Sequence, residues 1–338
     1  MQKPAPGPND LITDVEGLAV GNAGDHAALT GVTVVLPERP VVAGVDVRGG
    51  APGTRDIEAL DPSTLVEAIH GVVLAGGSVF GLDAAGGVIE WLAARGVGFT
   101  FGTQPLPCPV VPSAILFDLM NGGDKRWTSS PYRRLGQEAA AAAGRTFRLG
   151  NAGAGLGATA GIFKGGLGSA SLTWRGMTVG ALVAVNSYGS PADPATGALW
   201  AETLLPEGDR PRHPPAPEAD ALFGWTKAAR GSEAGANTTI AVVATDAALT
   251  RSEARRLAIM AADGMARALR PIHTPFDGDT VFALATGSQP MPKARALTLA
   301  ALGTLAADAL ARAIAKGVLA AEGIAGWPAF RTRAAPFA

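Results

Sequence analysis

The sequence predicts an α/β fold in which sheets pack on one another and are covered by helices. β-Branched runs alternate with Ala- and Leu-rich stretches of helical period along the whole chain. Hydrophobic residues make up 47% of the 338 and charged residues only 17%, ample material for a multilayer core. Gly 45 and Pro 25 read as many tight turns and not as disorder, because apolar runs occur throughout.

Residues 11–48 read as short strands, with Gly31 to Leu36 and Val41 to Val47 the β-branched runs. Asp61-Pro62 predicts a helix start, with aspartate as cap and proline in the first turn. A buried strand, Val72 to Leu74, meets Ala75-Gly76-Gly77-Ser78, and a helix follows from Val79 to Ala94. Pro105 to Pro112 is an extended connection, and Tyr132 to Ala143 is an Ala-rich helix. Gly150 to Gly168 is glycine-dense. It leads into a hairpin of Ser169 to Trp174 and Met177 to Val185 across Arg175-Gly176. Residues 191–235, rich in Pro, Ala and charge, read as a surface excursion or linker. Thr239 to Thr245 is a strand. Thr250-x-x-Glu253 is a capping box opening a helix to Leu269, Val281 to Ala285 is a strand, and Ala296 to Ala321 is a long buried helix.

The formal net charge of −1 favours neither nucleic acid nor an anionic membrane as partner. One cysteine, Cys108, excludes an intrachain disulfide and a cysteine metal cluster; between prolines, it reads as a packed small residue. No basic, apolar leader and no uncharged run of bilayer length are present, so the expected location is the cytoplasm.

The most informative segment is Gly235-Ala236-Asn237-Thr238-Thr239-Ile240, where a polar loop runs straight into an apolar strand. Thr238 has two readings. One is an ordinary strand residue, because threonine favours strands. The other is a nucleophile that attacks the Asn237 carbonyl, forms an ester by an N-to-O acyl shift, and is released by water as a new N-terminus. A free α-amine has a pKa of about 7.7–8.0, so it can serve as base to the hydroxyl on its own residue. Such a pair does without a separate histidine, and the chain has only His26, His70, His213 and His273.

The run from Gly235 through Asp246 resembles the processing site of the L-aminopeptidase/D-esterase family, and within it the threonine-nucleophile branch of nylon-oligomer (6-aminohexanoate-oligomer) hydrolases. Further matches are Arg270 through Ala283, Leu74 through Leu82, and Gly153-Ala154-Gly155 continuing to Lys164, in family order. The resemblance implies an αββα four-layer sandwich of the N-terminal-nucleophile-hydrolase type. It implies cleavage into a large piece, residues 1–237, and a small piece, residues 238–338, together forming one domain. It also implies a homo-oligomer, up to a tetramer of processed units.

By resemblance, Thr238 is the nucleophile and Asn237 ends the large piece, with Thr239 a lower-ranked rival. Asp277 and Asp279 match the acidic pair of the nylon-oligomer branch and are expected to orient the hydroxyl and hold the amine; a solvated turn and a weak divalent-cation site are the other readings. Lys164 matches the family lysine and is expected to lower the nucleophile's proton affinity or stabilise negative charge. Asn186 is either a turn asparagine or an oxyanion donor, and the match favours the donor. Where the family carries an active-site tyrosine, this chain has Phe117, so Phe117 is expected only to line the pocket, with Tyr188 a substitute phenol. Gly76, Gly77 and Ser78 read as a structural close approach with a pocket role.

The expected activity is hydrolysis of amide bonds in amino-acid amides, short peptides or ω-amino-acid oligomers through an acyl-enzyme, with no cofactor and no metal. Two rivals are an acyltransferase built on the same acyl-enzyme and a catalytically dead scaffold, for which Phe117 is the best argument.

Overall fold

The computed structural model describes residues 3–210, 222–231 and 237–334. Two five-stranded sheets lie face to face. One has the strand order β1-β2-β5-β6-β4, from Leu18–Asp25 (β1), Thr30–Pro37 (β2), Thr54–Arg55 (β4), Val72–Ala75 (β5) and Ser113–Ile115 (β6). The other has the order β3-β12-β11-β10-β9, from Val42–Val47 (β3), Gly166–Trp174 (β9), Met177–Asn186 (β10), Thr238–Ala247 (β11) and Thr280–Gln289 (β12). A short ribbon pairs Thr159–Ala160 (β7) with Phe163–Lys164 (β8).

Three cores define four layers. Val20, Val35 and Leu74 of the first sheet meet Leu182, Ile240, Val242 and Phe282 of the second in the central core. The first sheet's outer face packs on Ala84–Ala93 (α1) and Tyr132–Ala141 (α2). The second's outer face packs on Arg251–Ala261 (α3), Asp263–Ala268 (α4) and Arg295–Ala320 (α5). This is the αββα sandwich. Strand β11 is buried at every position, since it is central in its sheet and covered on both faces. α5 has the length and apolarity of a membrane span, but it packs on the outer face of β9 and β10. Its Arg312 and Lys316 pair with Asp10 at 2.9 and 2.8 Å.

Several local expectations need correction. No helix starts at Asp61-Pro62: a 3-10 turn over Ile57–Leu60 precedes it, and Asp61 Oδ1 accepts from Ser63 N and Oγ at 2.9 and 2.6 Å. The aspartate closes a local turn of its own and caps no helix. The expected helix from Val79 begins as a 3-10 turn over Ser78–Asp83, because Gly77 and Ser78 both take positive φ. The helix opened by Thr250 breaks at Ala262 into α3 and α4; a Cβ on Gly264 would stand 2.2 Å from Ala307 O, so the glycine permits close contact with α5. Cys108 is exposed and not packed. The described parts of 191–235 are not a surface excursion throughout: Ala192, Leu199, Leu205 and Trp225 join the core, and Trp225 meets Phe163 edge-on at 5.4 Å.

Candidate active site

The second sheet gathers the polar residues at one end. In the antiparallel β10–β11 register Asn186 lies opposite Thr238, and in the parallel β11–β12 register Ile240 lies opposite Thr280, so the turn at 277–279 sits beside the start of β11. Asn237 forms a parallel bridge with Asp277. Thr238, Asn186, Asp277 and Asp279 are each no more than 3% exposed. Gly235 and Ala236 of the motif lie outside the described residues.

The Thr238 hydroxyl donates to the carbonyl oxygen of Asn237, its own preceding residue. That oxygen also accepts from Gly278 N at 3.1 Å. A polarised carbonyl and a hydroxyl therefore face each other across one peptide bond. Gly278 has no alternative here: a Cβ would stand 2.8 Å from Thr238 Oγ1 and 2.7 Å from Ala51 O. The turn is gripped from β3's side, where Ala51 N donates to Asp277 O at 2.8 Å and Arg48 N to Asp279 O at 3.0 Å.

The two carboxylates have different surroundings. Asp279 accepts from Thr239 N at 2.8 Å through Oδ1. Its Oδ2 accepts from His273 N at 3.1 Å and lies 2.8 Å from His273 Nδ1. Asp277 accepts from Thr274 N and Oγ1 at 2.9 and 2.6 Å and from Tyr188 N at 3.2 Å. Burial, and then the charge of Asp279, push the Asp277 carboxyl above the usual range despite those bonds. Tyr188 reaches this site through its backbone, while its ring tilts against Phe276 at 5.5 Å.

Asn186 is held on both sides. Its Nδ2 donates to Phe117 O at 3.0 Å, and its Oδ1 accepts from Thr159 N at 2.9 Å and Thr159 Oγ1 at 3.2 Å. Lys164 does not join Thr238 by a hydrogen bond. Its buried ammonium donates to Gly155 O and Gly165 O at 2.8 and 2.7 Å, tying the glycine-dense loop together, and burial lowers its pKa to about 7. Gly76, Gly77 and Ser78 lie around a separate buried group, Asp118. Asp118 accepts from Gly77 N at 2.8 Å and Thr30 Oγ1 at 2.5 Å, and a Cβ on Gly77 would overlap the Tyr132 ring. These glycines serve a close approach.

Sequence reasoning missed Lys227. Only 2% exposed, it donates to Asn186 Oδ1 at 3.3 Å and to Asn186 O at 3.4 Å, and burial lowers its pKa to about 7 against the opposing effect of Asp277. A signal was present: Leu222-Phe223-Gly224-Trp225 is an apolar cluster inside an otherwise polar stretch. Lys227, Phe117, Thr159, Asn121 and Arg230 line a cavity of about 310 Å³ next to Asn186.

Comparison with known proteins agrees with this architecture. Residues 10–330 match the model of peptidase family S58. An "uncharacterized aminopeptidase" of Mycobacterium tuberculosis is 46% identical over 340 residues, covering 95% of this chain and 96% of that one. A 6-aminohexanoate-oligomer endohydrolase of Kocuria sp. is 30% identical over 298 residues, covering 85% and 78%. Among solved structures, a Burkholderia sp. beta-aminopeptidase superposes with a TM-score of 0.70 at 23% identity, covering 99% of this chain and 94% of that one. The l-aminopeptidase d-ala-esterase/amidase of Ochrobactrum anthropi, described as a variant of the ntn hydrolase fold, gives 0.65 at 21% identity, covering 95% and 89%. The chain thus belongs to peptidase family S58, as a hydrolase of peptide or amide bonds related to the aminopeptidases and nylon-oligomer hydrolases.

Proposed function

We propose that the chain cuts itself between Asn237 and Thr238 and then uses Thr238 as an N-terminal nucleophile on short peptides or ω-amino-acid oligomers. The observation that carries this is the Thr238 hydroxyl set against the Asn237 carbonyl, whose oxygen already accepts from Gly278 N–H. In the first step Oγ1 bonds to the Asn237 carbonyl carbon and its proton leaves to a neighbouring base. Gly278 N–H stabilises the oxyanion. Collapse breaks the C–N bond as the nitrogen takes up a proton, leaving an ester on Thr238, and water releases residues 1–237 from residues 238–338.

In the cut enzyme the new α-amine takes the hydroxyl proton and returns it to the leaving amine of the substrate. Asp279 holds the strand start through Thr239 N, and Asp277, beside it, offers charge to the α-ammonium. Asn186, the cross-strand partner of Thr238, is the proposed second oxyanion donor through its side-chain amide. Lys164 contributes through the loop it ties and through its charge. Phe117 supplies wall and no phenol, so no step here uses a tyrosine. The active form is a homo-oligomer of processed units.

Thr238→Ala tests the assignment. It is expected to remain a single chain and to hydrolyse nothing; full cleavage in that variant places the nucleophile elsewhere. Adding hydroxylamine to wild type separates hydrolysis from transfer, since dominant capture by the amine marks an acyltransferase.

A further inference from the structure

The cavity beside Asn186 has a charge character that the proposed chemistry does not use. Three of its lining residues, Phe117, Thr159 and Lys227, bond directly to Asn186, the cross-strand partner of Thr238, so it lies next to the nucleophile. Two lining residues are cationic, Lys227 and Arg230, and no lining residue among those described is acidic. Lys227 is buried at the inner wall. Arg230 is exposed at the outer side, held over the Trp327 ring at 4.1 Å and by Gly326 O at 3.1 Å. Met120, Phe117 and Trp327 supply apolar walls. A neutral capped amide offers two cations only its carbonyl oxygen, whereas a carboxylate offers two charged oxygens and stronger charge-assisted hydrogen bonds in a partly desolvated site.

We propose that this cavity is the subsite for a free carboxylate of the substrate, bound by Lys227 and Arg230. The enzyme then prefers carboxylate-bearing short peptides and amino-acid oligomers to the same molecules capped as amides. The proposal rests on the assignment of Thr238 as nucleophile.

The test uses the purified, self-cleaved protein and matched substrates, a panel of aminoacyl groups each joined to glycine and to glycinamide. Wild type is expected to favour the glycine member in kcat/KM by about 10- to 100-fold, the scale of one or two hydrogen bonds to a charged group. The preference is expected mainly in KM and to weaken with salt. In Arg230→Gln, a change on the exposed side, and in Lys227→Met, the ratio is expected to fall towards one. A wild-type ratio near one, or a ratio retained in Arg230→Gln, overturns the subsite. A cut protein that hydrolyses neither member overturns the nucleophile assignment instead. Glutamic acid α-amide as the leaving group, with a free side-chain carboxylate, separates the two carboxylate sources: restored preference assigns the cavity to an acidic side chain, and its absence assigns it to the terminal carboxylate.

Discussion

The two ends of β10 and β11 both bury a carboxylate, yet only one end sets a side-chain hydroxyl against the preceding backbone carbonyl. At the far end Asp246 accepts from Thr178 N through both oxygens, at 2.9 and 3.0 Å, and burial raises its pKa. Its neighbour Thr245 donates to Thr178 O at 2.9 Å. Each polar group there closes onto backbone, and the result is a strand clamp. At the near end the Thr238 hydroxyl points back at a carbonyl carbon's oxygen, and that oxygen has a second donor in Gly278. Asn237 Nδ2 and Oδ1, Thr239 Oγ1 and His273 Nε2 are also buried without a hydrogen-bond partner among the described residues. Buried acid alone therefore does not mark a site. An acid beside a hydroxyl that faces a carbonyl, with neighbouring polar groups unpaired among the described residues, makes a candidate site.

The contrast can be broken most severely at Gly278. Gly278→Ala sets a methyl against the Thr238 hydroxyl, so self-cleavage is expected to slow by about 100-fold or more, the scale of displacing a reacting group by roughly 1 Å. Cleavage at the wild-type rate by gel time course contradicts the geometry.

Asp279→Asn is the next largest. It removes the charge beside Asp277 and weakens the hold on Thr239 N and His273. Slower cleavage by roughly 10- to 1000-fold is expected for a displaced nucleophile. The acidic limb of the residual rate should also move to lower pH, because Asp277 then ionises more readily. An unmoved limb separates Asp277 from the rate.

At the far end, Asp246→Ala leaves Thr178 N–H unpaired and is expected to cost about 1–3 kcal/mol of stability. Chemical denaturation reads that loss, while the cleavage rate should stay the same. Slower cleavage would show that the two ends are not separate.

A further effect is a pH dependence of stability. Lys164 and Lys227 each hold a folded pKa of about 7 against an ordinary 10.5. Between those values the unfolded chain binds more protons, so their contribution makes stability rise with pH from 7 towards 10 and imposes its full penalty below 7. Thermal melts between pH 7 and 9 should show the rise, and Lys164→Met should reduce it to the share of Lys227.

Much of this was legible in the sequence because it is local. The hydrophobic period marks β10, β11, β12 and α5 to within a few residues, and Thr250 with Glu253 forms the capping box. The polar-to-apolar switch at Thr238 marked the candidate site. Sheet order was not legible: nothing near β3 states that it pairs with β12, some 235 residues later. Nor was Gly278's part, since its constraint comes from Thr238 and Ala51, both distant in sequence. Lys227 was hidden by composition, because a Pro- and charge-rich stretch reads as surface even where Trp225 draws it into the core.

Cleavage before Thr238 is tested most directly by intact mass and N-terminal sequencing of the purified protein. A small piece that begins Thr238-Thr239-Ile240 and holds 338 − 237 = 101 residues is expected. A single chain that stays uncut through long incubation, or a cut at any other bond, would contradict it.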